Sequence, residues 1–181
     1  MLSIIIATHD SERALVPTLA ALVPGATAGI VREVIIADGG SRDETEQVAD
    51  IAGCRFFASN EPLGARLKAA AGNARGDWLM FLRPGIVPGW SWVDEVIAFV
   101  QQDTEGRAAA FAGEATSIVA WLSSALSRLP RPDQGLILRK SLYAEICGHR
   151  ANASDAEANL LRRIGRRRLT ILRTSVIQTS I

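Results

Sequence analysis

Short continuous apolar runs alternate along the first half of the chain with longer stretches in which apolar residues recur every three or four positions. The runs are "LSIIIA" (2–7), "VREVIIA" (31–37), "CRFFA" (54–58) and "DWLMFL" (77–82). They are too short for helices and too uniformly apolar for strands with one wet face, which predicts buried parallel strands. Between them, "SERALVPTLAAL", "RDETEQVADIA" and "LGARLKAAAGNA" carry the helical spacing of segments that cover a sheet. The predicted order is β-α-β-α-β-α-β, an α/β fold with a mostly parallel central sheet clothed on both faces. Ser41 with Glu44 three residues on reads as a capping box, and Asp10 or Ser11 as the cap of the first helix.

After Pro84 the pattern loosens. A helix is predicted near "GWSWVDEVIAFVQQ", a strand at "RAAAFAG" and an amphipathic helix at 115–129. "GLILRKSLYAEICG" reads as a strand running into a helix, "DAEANLLRRIG" as a helix and "RLTILR" as a final strand. No repeat, linker or low-complexity tract divides the chain, so one domain is expected.

Composition narrows the partners. The 181 residues are 48% hydrophobic and 22% charged, enough to bury a core. Lysine and arginine total 20 against 19 acids, a net charge of +1 that supplies no general attraction for nucleic acid. The C-terminal "LRRIGRRRLTILR" is arginine-rich and acid-free; a solvated edge is the plainer reading of such a run, a phosphate-facing or membrane-surface patch the other. Two cysteines without a CxxC pair, and no secretory signal, point to a reducing, cytoplasmic setting. No segment approaches the ~20 uncharged residues of a membrane span. The stretch 115–129 is a core-packed helix on one reading and a peripheral contact with the inner membrane face on another.

Open α/β sheets bind ligands at the carboxyl ends of their strands. The loop after the first strand, "ATHDSE", has neither GxGxxG nor GxxxxGK[ST], against an ordinary dinucleotide fold and a P-loop NTPase. The loop after the second, "ADGGSRDET", sets an aspartate at a strand end before two glycines. That arrangement suits a ligand-facing carboxylate or simply a turn with a cap.

Together these segments resemble the family 2 glycosyltransferases of the GT-A fold, especially the short bacterial subgroup with a "DGGSxDxT" loop. The likeness runs from Leu2 to about Ser175. "ATHDS" stands where the family reads "PTxNE", "ADGGSRDET" matches closely, and "LGARLKAAAGNARGDWLMFL" is similar to "GRAxQxNxGAxxAxGDxLLFL". "RPDQGLILRKSLYAEICG" resembles the family's "xGDQGLFxRRxxFExxGG".

The resemblance implies a GT-A three-layer α/β/α sandwich with a nucleotide-binding half (1–85) and an acceptor-side half (86–181). It implies a UDP- or GDP-sugar donor and inverting transfer to a hydroxyl acceptor, lipid-linked acceptors being common in the family. Thr8, Asp10, Asp38, Gly39, Arg66 and Arg83 fall at nucleotide-binding positions, and Asp133 and Gln134 on the acceptor side. The family's base aspartate, in "MEDxDLxRRLRRxG", aligns with Glu157, and Asp155 stands two residues away.

The family's fourth strand ends "FLDAD" or "FLHAD", whose acids hold Mg²⁺ or Mn²⁺ against the diphosphate. Here the strand ends "FLRPG", with Arg83 and Gly85 at those positions. Three readings stand open. Arg83 replaces the metal with its guanidinium; or the scaffold binds a nucleotide sugar or a partner without transfer; or another acid, Asp94 or Asp77, supplies a ligand. A nucleotidyltransferase of similar fold is disfavoured because "ATHDSE" is neither glycine-rich nor basic. His9 and His149 are single loop histidines, which seldom carry catalysis.

Overall fold

The computed structural model describes residues 1–103, 106–113 and 130–179. The stretch 115–129 expected to be amphipathic lies outside them. Four strands, β1 (Leu2–Thr8), β2 (Val31–Asp38), β3 (Arg55–Ala58) and β4 (Trp78–Leu82), pair in parallel in the order β3-β2-β1-β4. The sheet continues through β7 (Leu136–Arg139), antiparallel to β4, then β6 (Ala108–Ala112), β8 (Leu169–Gln178) and β5 (Ile86–Pro88).

The uniformly apolar strands are explained by a core on each face. In β1, Ile4 and Ile6 join one cluster and Ile5 the other; in β4, Met80 and Leu82 oppose Leu79 and Phe81 in the same way. Helices α1 (Glu12–Thr27), α2 (Thr45–Ile51) and α4 (Trp92–Gln102) supply Leu15, Leu22, Ala49, Trp92 and Val96 to the first core. Helices α3 (Leu63–Asn73), α5 (Lys140–Glu145) and α6 (Ala156–Ile164) supply Leu67, Leu142, Tyr143, Leu160 and Ile164 to the second. Gly25 lets α1 lie directly on Trp92: a Cβ there would stand 2.3 Å from the indole ring.

Several boundaries differ from the sequence expectation. Helix α1 runs on through Pro17 and Pro24 to Thr27, because its buried face packs on the sheet along its length. Ser41 does not cap α2, which starts at Thr45 after Glu44 and has no side-chain cap. Ser11 is the N-cap of α1 but makes no side-chain cap bond; Asp43 Oδ2 accepts from the Glu12 N–H at 3.0 Å instead, capping the helix from another loop. Strand β5 was not foreseen. Its three residues pair with the end of β8, which extends well beyond Arg173, so the pairing rests on a partner about ninety positions away.

Candidate active site

Parallel strands β1 to β4 all deliver their carboxyl ends to one edge of the sheet. Strand β7, running the other way, brings its leading residues to the same edge. The loops after β1, β2 and β4, the turn before β7 and the start of α6 therefore meet there. They carry every site residue expected from the sequence except Arg66, which reaches the edge from α3.

Asp38 organises the first part. It is 1% exposed, and its carboxylate accepts from the Thr8 hydroxyl (2.8 Å), the Gly40 N–H (2.7 Å), the Ser41 N–H (2.8 Å) and the Ser41 hydroxyl. Burial would raise the pKa of this carboxyl, but the bonds from Ser41, Thr8 and Gly40 outweigh it and hold it below the usual carboxylate range. Gly40 sits at φ +84, and a Cβ there would also meet Asn60 Oδ1 at 2.7 Å, so the loop requires glycine.

Asp10, at φ 46, ties the first loop to the second: its Oδ1 accepts from the Arg42 N–H at 2.7 Å and its own N–H donates to Ser41 Oγ at 2.9 Å. Arg66 donates to the carbonyls of Ala37 (2.6 Å), Thr8 (3.2 Å) and Glu61 (3.1 Å). Its guanidinium lies over Gly39, where a Cβ would stand 3.1 Å away. A groove of about 230 Å³ opens beside it, lined by Ala37, Phe57, Ser59, Ala69 and Asn73 among others.

The second part forms where β4 ends. Arg83 Nε donates to Glu157 Oε2 at 2.7 Å, and Nη2 donates to the same oxygen. The Arg83 side chain is 43% exposed and that of Glu157 12%. Burial works against the charge of Arg83, but Glu157, Asp155 and Asp133 outweigh it and hold the guanidinium more firmly protonated. Burial raises the pKa of Glu157; Arg83 pulls it back, Asp155 and Asp133 push it up, and the net direction is upward. A cavity of about 10 Å³ adjoins this carboxylate, bounded by Phe81, Leu136, His149 and Leu161. It is about the size of one water or hydroxyl group.

The end of β4 does not suit a divalent cation. Arg83 places a positive charge there, and Gly85 is buried at φ +84, its N–H bonded to the Ala14 carbonyl and Thr18 Oγ1, each at 2.9 Å. A side chain at 85 would press on the Thr179 carbonyl, 3.2 Å from its Cβ. Among the described residues no group of three His, Cys, Asp or Glu side chains is placed to hold a metal. Asp77 precedes β4 at the opposite edge, 3.6 Å from the terminal amine of Met1.

The profile of glycosyl transferase family 2 matches residues 3–106. The chain belongs to that family. Glucosyl-3-phosphoglycerate synthase from Mycobacterium tuberculosis, solved with Mn²⁺, UDP and glucosyl-3-phosphoglycerate, superposes with a TM-score of 0.76 at 16% identity, covering 100% of this chain and 72% of that one. The same enzyme with phosphoglyceric acid gives 0.77 at 17% identity, and with Mn²⁺ and UDP-glucose 0.75 at 16%, each again over 100% and 72% of the two chains. No curated protein matches the chain. At these identities the likeness carries the fold, GT-A, and nothing finer.

The polar residues that flank β7 and open α6 bond within the protein. Gln134 Nε2 donates to the Phe111 carbonyl at 2.9 Å and its Oε1 accepts from the Arg131 N–H at 2.6 Å. Asp133 accepts from Arg131 Nε at 3.3 Å, and Asp155 caps α6 through the Ala158 N–H at 2.9 Å. Arg139 and Lys140 belong to the far edge, where Arg139 pairs with Asp103 and Lys140 donates to the Ala74 carbonyl at 2.6 Å.

The pairing of Arg83 with Glu157 was not foreseen. A signal existed, since opposite charges occupied two positions where the family carries acids. Among the described residues no helix is long and apolar enough to cross a membrane.

His149 is buried, and its backbone N–H donates to the Tyr143 hydroxyl at 3.0 Å while its Nδ1 lies 2.9 Å from that oxygen. Burial first, and Arg163 second, push the imidazole down to about 3. The folded form therefore keeps it neutral where the unfolded chain, titrating near ~6.5, takes up a proton. The resulting stability is full above about pH 6.5 and falls below it by about 1.4 kcal/mol per unit. Urea unfolding at pH 7, 6 and 5 should show this loss in the native protein and a smaller one in His149→Gln; equal losses would remove His149 as the cause.

Proposed function

We propose that this protein transfers a sugar from a nucleoside-diphosphate donor, UDP- or GDP-linked, to an acceptor hydroxyl with inversion. The observation that supports the reading best is the juxtaposition of Arg83 and Glu157 beside a hydroxyl-sized cavity. They stand at the edge where the Asp38 loop, at the family's nucleotide-binding position, also emerges. The presence of UDP and UDP-glucose in the similar synthase supports the donor class.

In this reading the loops tied by Asp38, Asp10 and Arg66 hold the nucleoside, with Thr8 and Gly39 in their walls. Arg83 faces the diphosphate, where a guanidinium stabilises charge developing on the leaving group. The acceptor oxygen attacks the anomeric carbon from the opposite face, the sugar–phosphate bond breaks, and its electron pair leaves on the diphosphate. Glu157 takes the acceptor's proton, a role its raised pKa favours. Asp133 and Asp155 flank the acceptor side. Among the described residues the end of β4 offers no ligand set for the Mg²⁺ or Mn²⁺ usual in the family.

A second reading, a binding protein without transfer activity, is favoured by one feature: the charge of Arg83 is already matched by Glu157. Calorimetric titration with UDP, GDP and their sugar conjugates, once with Mn²⁺ and once with EDTA, tests both. Binding that survives EDTA is expected, followed by sugar transfer once acceptors are screened. Absence of binding under both conditions would remove the donor reading.

A further inference from the structure

Arg83 is the focus of three carboxylates. Glu157 bonds to it directly, and Asp155 and Asp133 act on it through space. With all three ionised, and Arg131 paired to Asp133, the cluster carries two positive and three negative charges, a net of −1. A diphosphate approaching the intact cluster would meet repulsion. The groups differ in access: the Arg83 side chain is 43% exposed, that of Glu157 only 12%. An anion arriving from solvent therefore meets Arg83 first.

We propose that the donor's diphosphate and the Glu157 carboxylate compete for Arg83, so that arrival of the donor releases Glu157 to face the acceptor cavity. This rests on the donor reading above and adds to it a coupling between donor binding and the freedom of Glu157. Before the donor binds, two Arg83 nitrogens bond the same Glu157 oxygen, which holds that oxygen away from an acceptor and lowers its basicity without cancelling the effect of burial. When phosphate oxygens take over the guanidinium, the carboxylate remains buried beside Asp155 and Asp133, where a proton is favoured. Its free oxygens then line the cavity it shares with His149. The base becomes stronger once a leaving group is in place.

The competition predicts a sign opposite to that of a purely positioning role. If Glu157 merely holds Arg83 in place, removing its charge loosens the guanidinium and weakens anion binding. If it competes, removing it strengthens anion binding. The probe is inorganic pyrophosphate, titrated calorimetrically into the full chain.

Glu157→Gln is expected to tighten pyrophosphate about tenfold, the scale of one charge-assisted hydrogen bond no longer displaced. Asp155→Asn and Asp133→Asn remove the same charge without removing the direct competitor, and should change affinity about threefold or less. Asparagine also preserves the α6 cap. Glu157→Asp keeps the charge but draws the carboxylate back by one methylene, and should tighten pyrophosphate as well, which covers the case in which Glu157→Gln fails to fold.

Unchanged or weaker binding in the Glu157 variants overturns the competition. So does tightening in Asp155→Asn equal to that in Glu157→Gln, because bulk charge would then explain it. UDP and GDP titrated alongside keep the two ideas apart. Nucleotides that bind no better than pyrophosphate sink the donor reading, while the Glu157 comparison still decides the competition.

Discussion

Arg83→Ala should lower sugar transfer by about 100-fold or more, the scale seen when one preorganised group that stabilises leaving-group charge is removed. The loss should fall on the diphosphate and not on the nucleoside. In calorimetry the variant is expected to bind UDP much more weakly than the native protein while binding uridine equally well. Equal loss for both ligands would take Arg83 out of the diphosphate site. The variant also leaves Glu157 without its cation, in a place where burial, Asp155 and Asp133 all oppose ionisation. Its carboxyl should then titrate higher still, and the pH profile of any residual transfer should move upward.

Asp38→Ala should have the larger effect on the protein itself. Its carboxylate satisfies two backbone N–H groups and two hydroxyls and draws the β1 and β2 loops together through Thr8. Removing the acceptor strands those donors, at a cost of about 1–3 kcal/mol for each one that water cannot reach. Gly40 and Ser41 are half-buried and regain water, so a total of about 3 kcal/mol is expected in urea unfolding. Nucleotide binding should be lost, because the loop that carries Gly39 and Gly40 no longer holds its shape. Asp38→Asn keeps one accepting oxygen and should lie between. Unchanged affinity of Asp38→Ala for every nucleotide tested would show that the site is elsewhere.

These two variants separate residues that act by holding a loop from residues that face a ligand. Asp38, Asp10 and Arg66 all turn their polar groups toward neighbouring loops, so their expected contribution is a preorganised surface. Arg83 and Glu157 keep polar atoms turned toward open space or a cavity. From the sequence the two kinds look alike, since both are charged residues within the family's motifs.

The chain's own pattern determined the parallel half of the fold. Ile4, Ile5 and Ile6 in succession admit only a strand covered on both faces, and Met80, Phe81 and Leu82 repeat the argument. The family also followed from sequence, because short motifs such as "ADGGSRDET" keep their spacing.

What the tertiary structure decided were partnerships between distant positions. β5 exists only because β8 passes beside it, and three residues carry no strand signal of their own. Asp43 caps α1 in place of Ser11, because loops meeting at the sheet edge offer an acceptor that local sequence does not. Arg83 and Glu157 are 74 residues apart, and nothing in either segment specifies that they touch. Local propensity and periodicity act over a few residues. The pairing of two charges is set by where β4 ends and α6 begins, which the packing of the whole sheet determines.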